Sequence, residues 1–171
     1  MDERLGSLQE RIAAHVDALY GLAKRLTARP SDAEDLVQET FVRALRAAPH
    51  LPEEGHLKAW LFRILRNVHI DLYRAERRHR EVDRLEDEPA IEADWLRGDA
   101  ELDGLRGVVA RDIEAALSRL SDDGKTVLLL DVEGFTESEI AGILDCPVGT
   151  VKSRLMRARS SLRKLLGPYA R

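Results

Sequence analysis

Apolar residues recur along this chain at steps of three and four, and nowhere do they alternate at every second position. Each periodic segment therefore predicts a helix. Leu8, Ile12, Val16, Leu19, Leu22 and Leu26 draw a first stripe that ends near Arg29-Pro30. Ser31 with Glu34 reads as a capping box opening a second helix to about Ala47, with Ala33, Leu36, Val37, Phe41, Ala44 and Leu45 inward. Pro49 and Pro52 break the chain in the turn PHLPEEGH. A third helix follows from about Leu57 to Arg78, its inward side formed by Leu57, Leu61, Ile64, Leu65, Val68 and Leu72.

After an interval poor in apolar residues the periodicity resumes. A fourth helix, from near Val108 to Leu120, sets Ile113, Ala116, Leu117 and Leu120 on one side. Ser121-Asp122-Asp123 caps an apolar helix from Lys125 to Val132, which Gly134 ends. Thr136 and Glu139 form another capping box, for a short helix over Glu137 to Leu144. Asp145-Cys146-Pro147 turns the chain, and Pro147 suits the first turn of the last helix. Val151, Leu155, Ala158, Leu162 and Leu165 form that helix's inward stripe. The expected fold is all-α: two small helical bundles joined by a flexible acidic linker, the C-terminal one containing a helix-turn-helix. The expected boundaries are 1–80, a linker over 81–105, and 106–171.

Charge changes this picture through its distribution. The 171 residues sum to a formal charge of −4, which taken as an average argues against nucleic acid. Yet Lys58, Arg63, Arg66, Arg74, Arg77, Arg78 and Arg80 crowd the third helix. Lys152, Arg154, Arg157, Arg159, Arg163, Lys164 and Arg171 crowd the C-terminus without an acid among them. Two basic blocks on patterned helices suggest two anionic contacts, where a single block would more often be a solvated face. Between them, Glu81 to Asp103 is dense in carboxylates, with only Arg84 and Arg97 as cations. Its few apolar residues, Trp95-Leu96 foremost, do not offset the entropy of ordering it.

Other chemistry is scarce. The opening MDERLGSLQERIAAHV is charged throughout, and no apolar run approaches the ~20 residues of a membrane span. A lone Cys146 excludes an internal disulfide and a thiolate metal cluster, and its turn position favours an inert, buried packing role. His15, His50, His56, His69 and His79 are scattered, and no nucleophile–base pair stands out. The expectation is a cytoplasmic protein without membrane insertion, not an enzyme, and with neither metal nor cofactor.

On the last helix the surface opposite the apolar stripe carries Gly149, Ser153, Met156, Arg157 and Ser160, flanked by Lys152, Arg154, Arg159 and Arg163. A short helix, a tight turn and a second helix with a cationic outer face fit a major groove. Arginine presents a planar fork to guanine O6 and N7; lysine, serine and threonine take phosphates or single acceptors. The DNA contacts expected on this basis are Thr150, Lys152, Ser153, Arg154, Met156, Arg157 and Arg159. Asp145 stands where a turn glycine is common. The plainer alternative is a basic surface helix, with Met156 filling a gap.

CPVGTVKSRLMRARSSLRKLL, preceded by GFTESEIAGIL, resembles the promoter −35-reading region of bacterial sigma factors of the extracytoplasmic-function (ECF) type, within the sigma-70 family. SDAEDLVQETFVRALRA is similar to that family's segment for binding core RNA polymerase, and LKAWLFRILRNVHIDLYRAERR to its −10 recognition and melting helix. The resemblance covers nearly the whole chain except the acidic segment. It implies an initiation factor that docks on core polymerase, reads −35 DNA as duplex and captures the −10 single strand. It also implies an anti-sigma partner that covers polymerase-binding surfaces.

Under that resemblance Asp35, Gln38 and Glu39 offer acceptors to a basic polymerase surface, although the helix dipole alone also favours an acid at Asp35. Arg63, Asn67, Arg74 and Arg77 share the polar side of the third helix, bordered by Phe62 and Arg66. Cations along a backbone with an aromatic for an unpaired base suit single-strand capture. Phe62 is the stacking candidate, while Trp60 falls with the core residues. A helix-turn-helix transcriptional regulator binding an operator also fits the C-terminal motif. It predicts a ligand or phosphoacceptor domain upstream, where this chain instead has helices. A helical bundle that only sequesters protein partners is the remaining alternative, and it gives Lys152 and Arg157 no part in promoter choice.

Overall fold

The computed structural model describes residues 9–27, 29–47, 54–82 and 111–167, with the backbone alone over 73–82. Its helices are α1 (Val16–Leu26), α2 (Pro30–Arg46), α3 (Leu57–Val82), α4 (Asp122–Val132), α5 (Glu137–Leu144) and α6 (Val148–Leu165). Residues 9–13 and 111–118 are also helical, Glu54–His56 form a single 3₁₀ turn, and no strand occurs among the described residues. These helices fall into two compact units, α1–α3 in the first and most of α4–α6 in the second. The acidic segment beyond 82, with Trp95 and Leu96, lies outside the described residues, as do Pro49 and Pro52; α3 runs two residues into the expected linker.

In the first unit, α1, α2 and α3 all touch one another. Leu19, Leu22, Leu36, Leu57, Leu61, Leu65 and Val68 are almost fully enclosed. Burying one such aliphatic side chain contributes about 1.5–3 kcal/mol relative to leaving it in water. Thr40 is the buried polar side chain of this core, and its hydroxyl donates to the Leu36 carbonyl at 2.7 Å.

Local chemistry departs from expectation at three points here. The first stripe is not one continuous helix: the amide of His15 donates to Ile12 O at 3.0 Å, a tightened turn, and α1 begins after it. His15 is half-buried, and burial, then the charge of Lys58, holds its imidazole below the usual histidine range. The Ser31–Glu34 capping box does not form. Pro30 occupies the first turn, where its fixed φ and missing N–H are harmless, so α2 starts earlier, with Arg29 at the cap and bound to Asp32 at 3.1 Å. Finally Leu72, expected inside, is 42 % exposed.

In the second unit α4 lies against α6. Ser121 caps α4 by accepting the Gly124 amide at 3.2 Å, starting the helix at Asp122 rather than Lys125. A Cβ at Gly124 would crowd the capping Ser121 hydroxyl at 3.1 Å, while Ala158 at 3.7 Å would be in ordinary contact with it. Ala116 is buried as expected of its helix, but Ile113 is exposed.

The two turns that follow share one design. Gly134 adopts φ +88°, and the Phe135 amide donates back to Leu130 O at 3.2 Å. Asp145 adopts φ +53°, and the Cys146 amide donates back to Ala141 O at 3.1 Å. In both, a left-handed residue lets the next amide close the helix end. Asp145 thus takes the glycine's conformation, which aspartate tolerates better than most side chains. Cys146 is half-buried rather than enclosed.

Candidate functional site

The helix-turn-helix begins with the Thr136–Glu139 box. The Thr136 amide donates to Glu139 Oε2 at 2.8 Å, and the Glu139 amide donates to Thr136 Oγ1 at 3.3 Å. This fixes the start of α5, which spans the predicted residues. Pro147 stands at the cap of α6, one residue before the helix rather than inside it. Val151, Leu155 and Ala158 are buried, with Leu162 and Leu165 partly so.

The opposite surface of α6 is open. Met156 is 68 % exposed, and Gly149, Lys152, Arg157 and Ser160 are exposed with it. A thioether this exposed fills no gap among the described residues. Thr150 and Ser153 sit at the edge, and the Ser153 hydroxyl donates to Thr150 O at 2.9 Å. Arg157 Nε donates to Ser153 O at 3.2 Å, leaving the outer guanidinium nitrogens for a ligand. Arg154 and Arg159 lie on the two flanks and reach back to α4, to Asp123 and to Asp131 at 2.7 Å. Lys152 Nζ lies 3.6 Å from Glu137 at the start of α5. Beside Arg154 and Arg157 a groove of about 290 Å³ opens toward Ser121 and Arg119.

In the first unit the polar side of α3 differs from expectation at its aromatics. Phe62 is fully buried, and Lys58 Nζ lies 5.7 Å from its ring centroid. It belongs to the core and is not on the face of Arg63 and Asn67. Trp60, assigned to the core from sequence, is half-buried, at the border of the core and the polar side. Steps of three and four put Trp60 beside Arg63 and Asn67 as well as beside Leu57 and Ile64. Arg63 and Asn67 are exposed, and Arg66 donates to Asn67 Oδ1 at 3.3 Å. The side chains of Arg74 and Arg77 lie outside the described residues.

On α2, Asp35 and Gln38 are exposed around Val42, itself 39 % exposed. Glu39 accepts from Arg43 Nε at 2.8 Å, and Arg43 also donates to Asp71 of α3 at 2.7 Å. Those bonds, Asp71's first, hold the guanidinium's proton more firmly than usual. Sequence offers no signal for this tie, since 28 positions separate its ends. Among the described residues no cluster of three or more His, Cys, Asp or Glu side chains could hold a metal, and no helix is long and apolar enough to cross a membrane.

With this geometry in hand, the comparisons with known proteins are specific. The family model for Sigma-70 region 2 matches residues 11–79, and that for Sigma-70 region 4 matches residues 110–162. The chain is 38 % identical over 161 residues to the ECF RNA polymerase sigma factor EcfG of Rhodopseudomonas palustris, covering 94 % of this chain and 85 % of that one. It is 34 % identical over 165 residues to the ECF RNA polymerase sigma factor SigE of Mycolicibacterium smegmatis. That match covers 96 % of this chain but only 63 % of the longer relative. Among solved structures, the sigma factor RpoE in complex with the anti-sigma factor NepR from Bartonella quintana aligns with a TM-score of 0.73 at 31 % identity, covering 94 % of this chain and 97 % of that one. CnrH, in complex with the cytosolic domain of CnrY, aligns with a TM-score of 0.68 at 27 % identity, over 98 % and 94 %. Two region matches in order, spanning both helical units, and relatives above 30 % identity along nearly the full chain place this protein in the ECF group of the sigma-70 family of RNA polymerase sigma factors.

Proposed function

We propose that this chain directs core RNA polymerase to promoters by reading −35 DNA as duplex with α6 and capturing the −10 strand with α3. The observation that carries the reading is the outward stripe of α6, where Lys152, Met156 and Arg157 stand in solvent on a capped helix-turn-helix. Arg157 supplies the bidentate fork for a base edge, while Thr150, Lys152, Ser153, Arg154 and Arg159 take phosphates or single acceptors. On α3, Arg63, Arg66, Arg74 and Arg77 track the single strand, Asn67 offers donor and acceptor to a base edge, and Trp60 replaces Phe62 as the stacking surface. Asp35 and Gln38 face the polymerase, with Glu39 joining when it exchanges Arg43 for a polymerase cation. The domain division is 1–80, 81–105 and 106–171.

The factor works in the cytoplasm without catalysing a covalent step. It is restrained by an anti-sigma protein covering its polymerase-binding surfaces, a reading supported by the likeness to RpoE, which was solved in complex with NepR. Run-off transcription with core polymerase and a genomic promoter library tests the whole. Transcripts that depend on this chain and share two spaced elements are expected. Binding to one operator as a dimer, without dependence on core polymerase, would select the helix-turn-helix regulator instead.

A further inference from the structure

The cations of α6 divide into two sets. Lys152, Arg154 and Arg159 each face a carboxylate of another helix: Glu137 at 3.6 Å, Asp123, and Asp131 at 2.7 Å. Arg157, Arg163 and Lys164 form no ion pair among the described residues. The paired set lies on the flanks of the outward face, where a duplex held against α6 presents its two phosphate backbones. The base-facing centre, with Ser153, Met156 and Arg157, carries no acid.

We propose that Asp123, Asp131 and Glu137 are an electrostatic brake on DNA affinity, acting by holding the flanking cations of α6 in ion pairs and so trimming its attraction to phosphates of any sequence. The inference rests on α6 being the duplex-reading helix. Attraction to the phosphate backbone is electrostatic, independent of sequence, and scales with the number of phosphates neutralised. A cation already facing a carboxylate must exchange one anion for another, and the displaced carboxylate then stands near the phosphates and repels them. Base-edge hydrogen bonds from Arg157 are untouched by this exchange. The three acids therefore lower binding to promoter and arbitrary duplex by a similar factor, and they set the strength with which α6 holds any duplex. Each pair has one side chain more than half exposed, Lys152 at 63 %, Asp123 at 63 % and Arg159 at 57 %, while Arg154 at 25 % and Asp131 at 28 % are partly covered, so the pairs contribute little to folding.

The test is fluorescence-anisotropy titration of reconstituted holoenzyme on a promoter duplex and on a scrambled duplex of equal length, over a salt series. The wild-type chain is compared with the triple variant Asp123→Asn, Asp131→Asn, Glu137→Gln. The triple variant is expected to bind scrambled and promoter duplexes several-fold more tightly, by a similar factor, and to show a salt slope steeper by about 0.9 for each cation released. An unchanged slope together with an unchanged affinity for both duplexes overturns the proposal. Should the triple variant not fold, as judged by its thermal transition, Asp131→Asn alone carries the test, with a slope change of about 0.9 expected. Asp145→Asn removes an exposed acid that forms no ion pair among the described residues, in a backbone conformation asparagine also accepts. If it steepens the slope as much as Asp131→Asn, bulk charge rather than pairing is responsible and the proposal fails. A wild-type holoenzyme with no preference for promoter over scrambled DNA contradicts the duplex-reading role itself, and the inference falls with it.

Discussion

Helices α3 and α6 are the two basic helices of this sigma factor, and they bury themselves differently. α6 contacts α4 along one side and buries a narrow stripe, Val151, Leu155 and Ala158. α3 contacts both α1 and α2, and its buried arc widens to take in Leu57, Leu61, Phe62, Leu65 and Val68. A helix seated against two neighbours encloses residues that a single apolar stripe assigns to its border. The outward face of α6 can thus be read from spacing alone, whereas on α3 the border residue Phe62 turns into the core.

The largest effect expected from this contrast is at Phe62. Its ring has no exposure, so Phe62→Ala should cost about 3–5 kcal/mol of stability in denaturant unfolding. Trp60→Ala should spare most of that stability and instead slow promoter opening; if the two variants destabilise equally, the exchange of roles is wrong. Next is Arg157→Ala, expected to reduce discrimination at −35 by roughly 1–3 kcal/mol when promoter and base-substituted duplexes are compared. Its thermal transition should stay close to the parent's. Ser121→Ala removes the side-chain acceptor at the start of α4 and should lower stability by about 1 kcal/mol. Smallest is Arg43→Gln, which cuts an exposed tie between α2 and α3. Exposed pairs contribute about 0–1 kcal/mol, so polymerase affinity should change more than folding if Glu39 meets a polymerase cation once released.

How much of this was legible in the sequence follows from the range of each interaction. The Thr136–Glu139 box, the span Glu137–Leu144 and the inward stripe of α6 depend on contacts within four residues, and they appear where spacing puts them. Ser31–Glu34 has the same pattern yet forms no box, because Pro30 next to it is a stronger local signal. Phe62 and Leu72 lie other than their spacing puts them because their surroundings depend on how many helices pack against α3, a tertiary fact absent from its own periodicity. The ion pairs of Arg43, Arg154 and Arg159 join residues about thirty positions apart, beyond any local signal. The family resemblance identified the two DNA-facing helices, but which side chains stand in solvent on each came from packing.

The central claim is that α6 reads −35 duplex while α3 reads the −10 strand. Selection of active promoters from a library randomised at both elements, by wild-type and Arg157→Ala holoenzymes in parallel, tests it most directly. The account predicts that the variant relaxes preference at one or two −35 positions and keeps the −10 preference of the wild type. Loss of preference at −10, or an unaltered −35 element, would contradict it.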